Sequence, residues 1–122
     1  MAPHFLVADD SSVIRRVARR ICEDLEIRVS EAEDADQALE LCRRDMPDAV
    51  MVDWHMPGMD AFDFIREVRG MDHGSDPKIL FCLTEYNLAQ VARAKRAGAD
   101  DHLLKPFDKE VIEAKLKDIG LL

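Results

Sequence analysis

Residues 49–58 read Ala49-Val50-Met51-Val52-Asp53-Trp54-His55-Met56-Pro57-Gly58. Apolar side chains run without alternation up to an acid, and a Pro-Gly turn follows. A run bounded this way reads as a strand covered on both faces, because a strand with one wet face alternates. Phe5-Leu6-Val7-Ala8 and Ile79-Leu80-Phe81-Cys82-Leu83 have the same character. Strands covered on both sides belong to a parallel sheet between two layers of helices, so the chain reads as α/β and doubly wound.

Helical segments fill the gaps. Val13, Ile14, Val17, Ala18, Ile21 and Leu25 form one stripe, with Arg15, Arg16, Arg19 and Arg20 opposite and Ser11 or Ser12 as N-cap. A weak second strand is expected around Ile27 to Ser30. A second helix starts near Asp34 or Asp36, buries Ala35, Ala38, Leu39 and Cys42, and stops before Pro47. The third carries Phe62, Ile65 and Val68, and Gly70 to Pro77 is a polar loop. Asn87, with Gln90 three residues on, opens a fourth helix that ends at Gly98. Leu103-Leu104 is a short fifth strand. Asp108 caps a last helix with Ile112, Leu116 and Ile119 inward. The expectation is five strand–helix pairs in a single domain over residues 1–122, without an output domain.

Composition narrows the function. At 122 residues the chain fits one domain, given ~100–200 residues per domain. With 48% hydrophobic and 34% charged residues it is too apolar for disorder. Seventeen basic against 25 acidic residues leave a formal charge of −8, which disfavours DNA and anionic membranes as partners. No apolar run approaches the ~18 residues of a membrane span, and Met1-Ala2-Pro3-His4-Phe5 is no signal peptide. A cytoplasmic location is expected. Cys22, Cys42 and Cys82 are too widely spaced for a disulfide framework or a Cys-x-x-Cys metal site, and read as small buried hydrophobes.

The strand ends carry the chemistry. The first apolar run ends in Asp9-Asp10, the third in Asp53, the fourth in Thr84 and the fifth in Lys105-Pro106. In a parallel sheet these ends share one edge, where ligands bind. Three converging carboxylates repel one another, and one divalent cation together with Lys105 neutralises them. All-oxygen ligands select a hard cation, Mg²⁺. A carboxylate held beside Mg²⁺ and a lysine is a nucleophile toward phosphorus. Asp53, the single acid on a central strand, is the best acceptor. Asp9 and Asp10 then hold the metal, and Thr84 donates a hydroxyl proton to the phosphoryl group.

Asp9-Asp10-Ser11-Ser12, Asp53-x-x-Met56-Pro57-Gly58-Met59-Asp60, Thr84 and Lys105-Pro106-Phe107 together resemble the markers of bacterial response-regulator receiver domains, the CheY-like family. The resemblance spans essentially the whole chain. It implies the flavodoxin-like strand order 2-1-3-4-5. It implies phosphorylation of Asp53 by a sensor histidine kinase or histidine phosphotransfer protein, with self-catalysed transfer and slow autodephosphorylation rather than turnover of a substrate. It also implies Mg²⁺ on Asp10, Asp53 and the backbone carbonyl of His55, with Asp9 acting through water, Lys105 paired with the phosphoryl group, and a cis Lys105–Pro106 peptide.

Some positions depart from the family pattern. His102 stands where a Tyr or Phe usually swings inward as the threonine moves, so the swing either survives on a smaller ring or is lost. Glu85 replaces a small residue and adds charge at the entrance. His55 and Tyr86 occupy the positions that tune phosphoryl lifetime, and their rings are expected to shield the site from water. In the family the fourth helix, fifth strand and fifth helix form the face that switches. Here it carries Arg93, Lys95 and Arg96, a basic patch suited to an acidic protein surface or an anionic ligand such as a nucleotide. Relatives dock the phosphodonor on the first helix, which carries Arg15, Arg16, Arg19 and Arg20. The expected protein is a monomeric, stand-alone regulator acting on a protein target, with a flagellar motor switch as the leading choice. The alternatives are a phosphate shuttle, sink or adaptor, or a ligand-binding effector. A flavin binder needs a Gly/Ser/Thr-rich loop after the first strand, and a dehalogenase-type phosphatase needs Asp-x-Asp; the chain has adjacent aspartates instead.

Overall fold

The computed structural model describes residues 2–122. Five strands alternate with five helices: β1 (His4–Ala8), α1 (Ser12–Asp24), β2 (Arg28–Ala32), α2 (Ala35–Arg44), β3 (Ala49–Asp53), α3 (Ala61–Arg69), β4 (Lys78–Leu83), α4 (Leu88–Ala97), β5 (Asp101–Leu104) and α5 (Lys109–Asp118). All neighbouring strands pair in parallel, in the order β2-β1-β3-β4-β5. The doubly wound reading and its strand order hold.

The unbroken apolar runs divide between two cores. Phe5, Val7, Ala49, Met51, Leu80 and Cys82 pack with α1 and α5 on one face. Their neighbours Leu6, Ala8, Val50, Val52, Ile79 and Phe81 pack with α2, α3 and α4 on the other. Successive side chains point to opposite faces, so only a strand covered twice needs every residue apolar.

Helix starts follow local chemistry. Asp34, Asp60, Asn87 and Asp108 each accept a hydrogen bond from the backbone N–H three residues on, at 2.8–3.0 Å. Ser11 does the same for α1 at 3.3 Å. The three thiols are buried, and burial raises their pKa values: Cys22 to about 12, Cys42 to about 11, Cys82 well above the ordinary range. They are inert packing groups.

Three sequence expectations need correction. β2 runs one residue later at its start and two further at its end, Arg28–Ala32 rather than Ile27 to Ser30. As an edge strand it pairs only with β1, and it tolerates Glu31. β5, the other edge, includes the polar Asp101 and His102. The apolar stripe of α1 is also rotated. Ala18, Ile21 and Cys22 form its buried face, while Val13 and Val17 are exposed. On the other border Arg15 and Arg19 turn toward β2 instead of lying free in solvent.

Candidate functional site

The carboxyl ends of β1, β3 and β5 deliver the acids and the lysine to one pocket. β1 and β3 lie side by side, with Ala8 opposite Val52, so Asp9 and Asp53 leave the sheet next to each other. Carboxylate oxygens of Asp9, Asp10 and Asp53 lie within 4.8 Å of one another. The Lys105 Nζ donates to Asp9 Oδ2 and to Asp53 Oδ1, both at 2.8 Å. Asp9 and Asp53 are buried, whereas Asp10 is exposed.

The backbone fixes this arrangement. Asp9 N–H donates to the Ala32 carbonyl, and Ser11 N–H donates to Asp9 Oδ1. Trp54 N–H donates to the Cys82 carbonyl, and Lys105 N–H to the Leu83 carbonyl, so the loops leaving β3 and β5 are both held by β4. The Lys105–Pro106 peptide is cis.

The charges do not balance within the protein. Three carboxylates face one ammonium. Burial pushes the Asp53 carboxyl above its ordinary pKa; the Lys105 hydrogen bond opposes this, and the charges of Asp9 and Asp10 add to it. Burial works against the Lys105 ammonium, but its bonds to Asp53 and Asp9 prevail and hold its pKa above the usual lysine value. The pocket is thus a cluster of oxygen donors with uncompensated negative charge and one protonated amine. A hard divalent cation such as Mg²⁺ fits it in charge and donor type.

Thr84 sits at the end of β4 on an exposed edge. It lines a cleft of about 180 Å³ with Trp54, Leu83, Glu85, Tyr86, Asn87 and Gln90. Trp54, the only tryptophan in the sequence, directly follows Asp53 and lines this cleft. Glu85 lies in the cleft wall, where the sequence placed an added charge. His55 is exposed, with its ring edge-on to Trp54 at 5.3 Å. Tyr86 leans on His102, their ring centroids 5.3 Å apart. His102 is half-buried on β5; burial and the nearby Lys115 lower its pKa.

The chain matches the response regulator receiver domain over residues 5–117. It belongs to that family. Among chemotaxis relatives, this receiver domain is 31% identical to the chemotaxis protein CheY of Pseudomonas aeruginosa over 115 residues, 93% of each chain. It is 34% identical to a CheY homolog of Campylobacter jejuni over 116 residues, 93% of this chain and 89% of that one. The solved structure of the chemotaxis response regulator CheY4 of Vibrio cholerae superposes with a TM-score of 0.93, at 29% identity over the full length of both.

Arg93, Lys95 and Arg96 are exposed on α4. The Arg93 guanidinium lies 4.1 Å over the Phe62 ring and 4.0 Å from Asp60, on the α3 side. Lys95 lies close enough to His102 on β5 to lower its pKa. On α1, Arg16 and Arg20 are exposed, but the Arg15 side chain is 14% exposed and bonded to Glu31 and to the Asp9 carbonyl. Glu31 escaped the sequence reading because an acid on a weak edge strand looks like solvent-facing charge. The usable signal was Arg15 and Arg19, four residues apart on one helix face, opposite an acid at the end of the adjacent strand.

Proposed function

We propose that this receiver domain is a phosphoacceptor, with Asp53 the residue modified. The observation that supports it is the Lys105 amine bonded at 2.8 Å to both Asp9 and Asp53. A lysine shared by two acids is placed to transfer one of its contacts to an incoming phosphoryl oxygen. Asp53 Oδ attacks the phosphorus of a phosphohistidine, the phosphorus–nitrogen bond breaks, and the donor imidazole leaves with the electron pair. Lys105 then offsets charge on the transferred group, and Thr84 supplies a hydroxyl donor from the end of β4. Asp9, Asp10, Asp53 and the His55 carbonyl would hold Mg²⁺, which when bound supplies the remaining positive charge for the transfer. The chain receives the group rather than turning over a substrate.

The donor is a sensor histidine kinase or histidine phosphotransfer protein. Output is by contact with a protein, in chemotaxis or motility, with a flagellar motor switch as the leading target. The CheY-named relatives, matched over about nine-tenths of their own length, support this pathway. Among the described residues no helix is long and apolar enough to cross a membrane. The likeness to the chemotaxis relatives supports placing the protein in the cytoplasm.

Beryllofluoride, a mimic of an aspartyl phosphate, tests the assignment. With Mg²⁺ present it should change Trp54 fluorescence in the wild type and leave Asp53→Ala unchanged. Equal responses in both would remove Asp53 from the role.

A further inference from the structure

Arg15 bridges the acidic pocket and the sheet edge. Its Nη1 donates to the backbone carbonyl of Asp9 at 2.7 Å, and its Nε donates to Glu31 Oε1 at 3.2 Å. Glu31 is held in turn by Arg19, whose Nε donates to Oε2 at 2.6 Å and whose Nη2 donates to the Val29 carbonyl at 3.2 Å. Arg19's hydrogen bond, with a smaller one from Arg15, holds the Glu31 carboxyl below its ordinary pKa, so the acid stays charged. The parallel register sets Glu31 beside Val7, two residues before Asp9, so the brace is anchored to the strand next to the loop it holds.

The carbonyl that Arg15 grips belongs to the peptide joining Asp9 to Asp10. Asp9 has further restraints, since its carboxylate takes bonds from Ser11 N–H and Lys105 and its own N–H is bonded to Ala32. Asp10 is exposed, and the orientation of that peptide decides where its side chain points.

We propose that Arg15, braced by Glu31 and Arg19, is a positioning residue that aims Asp10 into the acidic pocket and so sets the pocket's affinity for a divalent cation. This rests on the Mg²⁺ reading above. Two roles for Arg15 predict opposite signs. As a bystander cation near three acids, it would repel Mg²⁺, and its removal would tighten binding. As a positioning residue, its removal loosens binding by about tenfold or more, as when groups supporting metal ligands are lost.

The test is titration of Mg²⁺ against Trp54 fluorescence, paired with the Mg²⁺-induced rise in melting temperature, in the wild type, Arg15→Met, Arg15→Lys and Glu31→Gln. The expected order of affinity is wild type, then Glu31→Gln and Arg15→Lys, then Arg15→Met. Lysine restores part of the affinity because it can still donate to the Asp9 carbonyl. Affinity equal to or tighter than wild type in Arg15→Met overturns the proposal. If that variant does not fold, wild-type affinity in both Glu31→Gln and Arg15→Lys does so. A wild type that fails to respond to Mg²⁺ in either readout removes the metal reading itself, and this proposal with it.

Discussion

A single side chain at the site carries two opposed demands. As the proposed phosphoacceptor, Asp53 would have to be charged to attack phosphorus, yet burial and two neighbouring acids raise its pKa. A group whose environment disfavours its charge destabilises the fold at neutral pH, so Asp53→Asn should melt several degrees higher than the wild type without metal and should lose most of the Mg²⁺-induced gain. Differential scanning calorimetry with and without Mg²⁺ measures both effects. His4, under the sheet's opposite edge, has the reverse linkage. Burial and the Arg28 charge lower its pKa against Asp45 and Asp48, and its Nε2 lies 2.7 Å from Ser30 Oγ. A depressed histidine contributes stability above its unfolded pKa of about 6.5 that is lost as pH falls toward the folded value. Urea midpoints at pH 7.5 and pH 5.5 should therefore fall less in His4→Gln than in the wild type; the comparison cancels carboxylates common to both. Tyr86 lines the cleft and the His55 ring packs edge-on against Trp54 beside it, so a His55→Asn, Tyr86→Glu variant should lose its phosphoryl group faster after loading with acetyl phosphate. Decay at the wild-type rate would show that the rings do not shield it.

At the scale of elements, the strands that were easiest to read are those with the most packing. β1, β3 and β4 are buried on both faces, so their residues had to be apolar, and their ends were legible to within a residue. β2 and β5 are edges, where a charged or polar residue costs little, and their limits were not legible. Caps were readable because an Asp or Asn N-cap needs only local chemistry. The role of Arg69 was not, since its partners lie up to 31 residues away. Arg69 closes α3 against two loops at the amino ends of β4 and β5. It donates to the carbonyls of Gly98, Gly74 and Pro77 and to Asp100 Oδ2, which also accepts from Ile79 N–H. Gly98 has φ +127°, and a Cβ there would come within 2.8 Å of Arg69 Cγ, so glycine lets the two approach. Arg69→Met should cost about 2–3 kcal/mol by urea denaturation, because several carbonyls lose a charged donor. The Mg²⁺ response should be retained, because the site lies at the other end of the strands.

Across the whole molecule, topology turns three distant stretches of sequence into one pocket, with Lys105 and Asp9 96 residues apart. That convergence was legible because a parallel sheet puts every strand's carboxyl end on one edge. The bracing of Asp9 by Arg15 was not, because it depends on how far α1 is rotated about its axis. Phosphorylation would add roughly −1.5 to −2 charges. Charge-assisted contacts of the phosphoryl group to Lys105 and Thr84 would be worth ~1.5–3 kcal/mol each, about 3–6 together, against ~5.5 kcal/mol to reverse a 1:99 equilibrium, so over most of that range the proposed switch would need a bound partner to complete it. All of this depends on Asp53 accepting phosphorus. The most direct measurement is the intact mass of the protein after incubation with acetyl phosphate and Mg²⁺, with peptide mapping under mild conditions. The account predicts a gain of one phosphoryl group, located on Asp53, absent in Asp53→Asn and abolished by chelating the metal. An unchanged wild-type mass, or the same gain in Asp53→Asn, would contradict it.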